Sequence, residues 1–408
     1  MSYRQGMLSD FFEGVAVKKL TLVETITEKS NQHEIQGTKP LRRMFGDADR
    51  KAIPTRFIWL NDEQEGLSED GFISWSNVRK GKPRSAEYHL YYSGNVVTEA
   101  MKPGDTLFLA LRRDGSAMIV VVPVESTIQS QLLWLFGIEE QPELNFAFRE
   151  IKDDDSARLD FIACYVLDEL GIEPEEPEVD AIDDLVREFG TTFPTTRDFS
   201  EFARKSLSGV SALDDPDAAL FAWMEREELL FRRLERNIVA ERINAGFVGE
   251  KSAIVDGFLS FSKSVQQRRS ARAGRALENH LETILITYNI RHSRGAETEN
   301  RNKPDFLFPG AVEYQNPQFP AARLTMLGVK TTLKDRWRQV LAEANRIPSK
   351  HLLTLEPGIS FNQTEQIRLS GMQLVIPQAI HSTFAPKQQT ELLNVRAFLK
   401  LVQERQGG

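Results

Sequence analysis

The spacing of apolar residues changes twice along this chain, and each change limits what the segment around it can fold into. Up to about residue 125 the apolar residues come in short runs: VAVKKLTLVET, RFIWL, FISWSNV, EYHLYYS, TLFLAL and AMIVVV. Runs of this length, rich in β-branched and aromatic side chains, predict strands. Turn chemistry separates them. Pro103-Gly104-Asp105 leads into TLFLAL, and Asp114-Gly115 between two apolar runs is a hairpin signal. Residues 1–125 are therefore expected to form a β-rich barrel or sandwich.

From 126 to about 260 the period becomes helical, in SQLLWLFGI, ARLDFIACYVLDELG, AIDDLVREFG and FAWMEREELLFRRLERNIVAERI. Acidic, proline-bearing stretches, EPEEPEVD and SALDDPD, interrupt these helices. Residues 261–408 then alternate between the two periods. GRALENHLETILITY carries Leu277, Leu281, Ile284, Leu285 and Tyr288 on one stripe. DFLF and LTMLGVK read as strands. KDRWRQVLAEANRI reads as a helix with Trp337, Val340, Leu341, Ala344 and Ile347 inward, and HLLTLE and MQLVIP as two further buried strands. Such alternation predicts an α/β sheet covered by helices. The expected whole is a multidomain α+β chain with β-rich, acidic helical and α/β parts.

At 408 residues two or three domains are expected. The net charge of −8 argues at first against nucleic acid, but it is unevenly placed. Residues 139–228 hold 26 acidic and 8 basic residues, a local balance of −18, and the remainder carries +10. Both flanks can therefore meet phosphate. The single cysteine, Cys164, excludes an internal disulfide framework and, with no apolar run of membrane length and no signal-peptide pattern, suggests a reducing cytoplasm.

The chemistry concentrates in the last third. PDFLFPG places Asp305 after a proline at the start of a strand, and TMLGVK ends the next strand in Lys330. An aspartate and a lysine so placed are half of a metal-dependent phosphodiesterase site. A second acid usually stands two residues before the lysine, on the same strand face, and here that position is Gly328. The replacement has to come from a neighbouring element. On the helix expected after Lys334, Glu343 shares a stripe with Arg336, seven residues and about 10 Å away along the axis. Asp305 and Glu343 offer hard oxygen ligands of the kind Mg2+ prefers, Lys330 can stabilise a phosphate transition state, and Glu278 on the preceding helix is a third acid within reach. Each residue also has an ordinary reading: a turn, a strand end, a solvated helix face.

SARAGRALENHLETIL, NKPDFLFPGAVEYQNPQFP and LGVKTTLKDRWRQVLAEANRI together resemble the catalytic domain of EcoRII-like Type II restriction endonucleases, over about residues 265–405. The resemblance implies a restriction-endonuclease-like PD-(D/E)XK fold and a Mg2+-dependent double-strand DNA endonuclease acting as a homodimer. It carries the catalytic residues onto Glu278, Asp305, Lys330 and Glu343, the last standing twelve intervening residues after the lysine. It also implies reading of CC/GG steps by Lys334, Asp335 and Arg336, a logic that suits guanine acceptors and cytosine amino groups in the major groove. Flipping of central bases and a cognate DNA methyltransferase belong to the same implication.

In the first domain, KSNQHEIQG offers Gln32 and His33 for base edges, and SNVRKGKPRSAEYHLYY offers Arg79, Lys80, Lys82 and Arg84 for phosphates. A solvated loop and a strand whose tyrosines enter the core account for the second stretch equally well. The QHE loop and YY strand are weakly similar to the EcoRII-like effector domain, a DNA-binding pseudobarrel, which implies a regulatory role. Two other readings stay open: a phage-defence or modification-dependent nuclease whose first domain senses DNA chemistry or another ligand, and a DNA-binding protein that does not cleave.

Overall fold

The computed structural model describes residues 8–25, 34–63, 66–152, 161–172, 187–190, 192–247 and 251–407, apart from a few side chains within them. The chain divides into two compact units, Met1–Pro177 with Pro357–Gln363, and Glu178–Glu356 with Thr364–Gly408. The acidic stretch expected as a separate middle, 126–260, is instead shared: its residues up to 177 belong to the first unit and the rest to the second.

The first unit is built on eight strands: β1 Phe12–Lys19, β2 Glu34–Gln36, β3 Arg50–Trp59, β4 Leu67–Asn77, β5 Tyr88–Tyr92, β6 Thr106–Arg112, β7 Ala117–Val122 and β8 Ala147–Glu150. Their order is β2-β5-β4-β3-β7-β6-β1-β8. Only the β3/β7 pair is parallel among the described pairings. Strands β6 and β7 are joined as the sequence predicts, with Gly115 at φ 80° and the Asp114 carboxylate accepting the Ser116 N–H at 2.9 Å.

Both faces of the central strands are buried, which is why TLFLAL and AMIVVV are unbroken apolar runs. Leu107, Leu109, Leu111, Ile119 and Val121 enter one core, and Phe108, Ala110, Met118, Val120 and Val122 the other. Helix α1, Lys39–Phe45, adds Leu41, Met44 and Phe45 to the first core. Helices α2, Thr127–Leu135, and α3, Phe161–Glu169, cover the second. Each large side chain so buried stabilises by about 1.5–3 kcal/mol relative to exposure. Because α1 follows edge strand β2 yet packs on β8 and β1 at the opposite edge, the sheet curls without β2 and β8 pairing.

Ahead of its strands the second unit carries the helices α4 Thr196–Lys205, α5 Pro216–Ala245 and α6 Lys251–Thr287. Asp215 caps α5 by accepting the N–H groups of Asp217 and Ala218, with Pro216 in the first turn. Helix α6 buries Leu277, Leu281, Ile284 and Leu285 as its sequence stripe predicts. Its outer side is tied to α5 by buried charge, with Arg272 against Glu227 and Glu228.

Five strands follow: β9 Ser293–Arg294, β10 Phe306–Phe308, β11 Thr325–Lys330, β12 Lys350–Thr354 and β13 Met372–Val375, in the order β13-β12-β11-β10-β9. The β9, β10 and β11 pairings are antiparallel, whereas β11, β12 and β13 run parallel. The segment expected to be one helix over 334–347 differs. A 3-10 turn spans Lys334–Arg336, and helix α7 covers only Trp337–Leu341. Ala344, at φ 49°, turns the chain out of the helix while Trp337, Val340, Ala344 and Ile347 stay buried. Helix formers in LAEAN are overridden by the tertiary anchors described below. No helix among the described residues is long and apolar enough to cross a membrane.

Candidate active site

Asp305 is the last residue before β10, and the antiparallel register sets Phe306 opposite Leu327 on β11. That register brings the Asp305 carboxylate to the end of β11. One of its oxygens accepts the backbone N–H of Val329 at 2.6 Å and the Lys330 ammonium at 2.9 Å. The two side chains are about equally sheltered, at 18% and 19% exposure.

Gly328 explains why the usual second acid is missing. A Cβ built there stands 2.9 and 3.0 Å from the two methyl carbons of Val340. Helix α7 has moved into the space that a side chain on the strand would need. Just beyond Val340 the chain presents Glu343, whose N–H is donated to the Val340 carbonyl at 3.2 Å. The Glu343 carboxyl is pushed above the ordinary glutamate range by burial and by the negative charge of Asp305, against the opposing pull of Lys330 and Lys350. Its Oε2 is buried and has no hydrogen-bond partner. A buried carboxylate oxygen left unpaired near a second carboxylate suits a hard divalent cation. Asp305 and Glu343 are the residues that fit such an ion.

Glu278 stands on α6, where it lines a surface cavity of about 580 Å3 together with Gln266, Arg275, Lys330, Thr331 and Arg336. Its carboxylate is already engaged: Oε2 accepts Arg294 Nη2 at 2.8 Å and Nε at 3.1 Å. Arg294 also bonds Glu282 and Asn279, each at 2.8 Å. Glu278 thus shares a cavity with Lys330 while Arg294 holds its carboxylate. Among the described residues no three acids, histidines or cysteines come together as a metal-holding group. Arg294 and Lys350 were not singled out in the sequence; β9 is only two residues long, and Lys350 reads as an ordinary strand start.

Of the base-reading trio, Lys334 and Arg336 are exposed on the 3-10 turn beside the cavity, and the Asp335 side chain lies outside the described residues. In the first unit Gln32 and His33 also lie outside them. Arg79 pairs with Glu87, Lys80 pairs with Asp49 at 2.7 Å, and Lys82 and Arg84 are exposed. The tyrosines behind them take the ordinary role. Tyr88 stacks on Trp75 at 5.1 Å in the core, and burial raises the Tyr92 hydroxyl to about 12.

The family described as "EcoRII C terminal" matches residues 231–399. The type II restriction enzyme EcoRII of Escherichia coli is 38% identical over 216 residues, covering 53% of this chain and 52% of that enzyme. The type II restriction enzyme SsoII of Shigella sonnei is 29% identical over 149 residues, 34% of this chain and 47% of the relative. The chain thus spans about half the length of the curated relatives it matches. Among solved structures, a complex of restriction endonuclease PspGI with substrate DNA overlaps 56% of this chain and 98% of that one, at 14% identity and a TM-score of 0.44. Over residues 231–399, then, the chain matches the family described as EcoRII C terminal, and over about half of its length it is similar to a type II restriction enzyme.

Proposed function

We propose that the chain is a Mg2+-dependent, sequence-specific endonuclease for double-stranded DNA, acting as a homodimer with one active site per strand. The observation that carries this reading is the buried, unpaired Oε2 of Glu343 beside the Asp305–Lys330 pair. Asp305 and Glu343 would hold the cation, with Glu278 supporting it from the cavity wall once Arg294 shares its charge. The ion, when bound, polarises a phosphoryl oxygen and lowers the pKa of an attacking water. The backbone N–H of Val329 holds the Asp305 carboxylate at the end of β11, where it would meet the ion. The Lys330 ammonium borders the cavity and offers positive charge where the phosphate gains negative charge.

Lys334, Asp335 and Arg336 stand just before α7 and Glu343 just after it, so base reading and cutting would share one segment. The sequence class favoured is one with CC/GG outer steps, where arginine meets guanine acceptors and aspartate a cytosine amino group. The first unit would bind DNA and regulate cleavage, and a cognate methyltransferase would protect the host. Restriction by a cytoplasmic enzyme of this kind serves antiviral defence.

Purified protein incubated with mixed-sequence DNA and Mg2+ should give discrete double-strand cuts, and sequencing the ends should return one short CC/GG-containing site. Chelation and Asp305→Ala should each abolish the cuts. Equal cleavage by Asp305→Ala, or none by the wild type on unmodified and methylated DNA alike, overturns the assignment. Cleavage confined to methylated DNA would retain the chemistry and make modification the trigger.

A further inference from the structure

Lys350, the first residue of β12, is only 7% exposed, and its ammonium touches neither Asp305 nor the free oxygen of Glu343. It donates instead to two backbone carbonyls, that of Leu341 at 2.5 Å and that of Glu343 itself. These carbonyls belong to the end of α7, where helix geometry leaves acceptors without partners. An ammonium withdrawn from water persists only when bonded in this way. The arrangement ties β12, which runs parallel to β11 and its Lys330, to the turn that presents the acid.

That turn is strained. Ala344 adopts a left-handed φ of 49°, a conformation a non-glycine residue keeps only where its surroundings impose it. Besides Lys350, the turn is held by its own backbone bonds, Ala342 N–H to Gln339 and Glu343 N–H to Val340 at 3.2 Å each and Ile347 N–H to the Ala344 carbonyl at 2.9 Å, by the Asn302 amide donating to the Ala342 carbonyl at 2.8 Å, and by the Asn345 N–H reaching Glu299 at 3.3 Å. The lysine thus grips the backbone just before the bend and leaves the Glu343 carboxylate unengaged. A lysine serving only as a charge partner would bond the carboxylate.

Building on the nuclease reading, we infer that Lys350 is a positioning residue for the cation site: by holding the 341–344 turn, it sets where the Glu343 carboxylate stands relative to Asp305. Partners one step removed from a metal ligand typically govern affinity by about 10–100-fold. The full-length protein with Lys350→Met should therefore bind Mn2+, titrated calorimetrically without DNA, roughly tenfold more weakly than wild type. The Mg2+ concentration for half-maximal cleavage should rise by the same factor, while the rate at saturating Mg2+ and metal-free DNA binding change far less. Lys350→Arg, which can still reach two carbonyls, should restore most of the affinity. If Lys350→Met does not fold, Asn302→Ala tests the same turn from its exposed side and should weaken Mn2+ binding by a smaller factor.

Wild-type Mn2+ affinity in a folded Lys350→Met protein, or in Asn302→Ala where that variant stands in, overturns the inference. It does so without touching the nuclease assignment, which stands on wild-type cleavage and its loss in Asp305→Ala. No Mn2+ binding by the wild type would instead bring down the assignment and this inference with it.

Discussion

Two segments of this molecule are rich in charge near a surface, Arg79–Arg84 in the first unit and Asp305–Glu343 in the second, and they dispose of that charge in opposite ways. In the first, Arg79 is answered by Glu87 and Lys80 by Asp49, so half of its cations are neutralised where they stand. In the second, Asp305 and Lys330 pair at 2.9 Å, but Glu343 is sheltered and its Oε2 meets nothing. Exposed pairs contribute little and cost little. A buried carboxylate without a partner is unfavourable until something binds, and perturbed groups of that kind mark functional sites. Counting charges along the sequence therefore ranks these segments alike; where each charge ends up separates them.

The largest effect that sharpens the contrast comes from Glu343→Gln. Loss of one cation ligand should lower cleavage by at least about a thousandfold, the scale of several kcal/mol in transition-state stabilisation. The same substitution should make the metal-free protein more stable at neutral pH. The sign follows from the raised pKa: the folded state disfavours the ionised carboxyl, so wild-type stability falls as pH rises from the ordinary glutamate range through the higher folded value. Glutamine removes that dependence. Thermal melts of both proteins with EDTA, at pH 4 and pH 8, should show a gap that opens with pH and reaches about 2 °C or more. A Gln variant that melts lower than wild type at pH 8 would mean that Glu343 is a satisfied structural acid, like Glu87 and Asp49 beside the first segment.

Next in size is Gly328→Ala. Its Cβ would lie 2.9 Å from a methyl of Val340, a buried β-branched side chain with little freedom to yield. Overpacking of this kind costs about 1–3 kcal/mol, and Val340→Ala in the same chain should recover part of it, a coupling that a double-mutant cycle reads directly. Independent, additive losses would show that α7 does not occupy the missing acid's place.

The strands of the first unit were legible because their two-sided burial leaves long β-branched runs, and the Asp305–Lys330 pair because strand geometry alone brings them together. The missing side chain at Gly328 points to an acid on a neighbouring element such as Glu343, but not to the setting of that acid. LAEANRI has the composition of a helix, and contacts such as those of Lys350 and Asn302, with the left-handed Ala344, end that helix early. Those are contacts across the fold, invisible to local periodicity. The same holds for Arg294, which engages Glu278 from a strand too short to leave a pattern. Partition of the acidic middle between two units was hidden too, since helical spacing says that a face is buried but not against what.

The smallest effect concerns the first segment by itself. If it contacts phosphate, its cations should differ: Lys82 and Arg84 project with no ion pair among the described residues, whereas Arg79 and Lys80 must first leave their carboxylates. Each phosphate contact contributes about 0.9 to the slope of log affinity against log salt. In protein carrying Asp305→Ala to prevent cutting, the Lys82→Ala/Arg84→Ala pair should lower the magnitude of that slope by about 2. The Arg79→Ala/Lys80→Ala pair should lower it by less than about 1, because freeing Glu87 and Asp49 adds negative charge while removing contacts already neutralised. Filter-binding or fluorescence titrations from 50 to 300 mM salt measure both slopes. Equal changes from the two pairs would erase the distinction within the segment, and no change from either would leave DNA contact to the second unit.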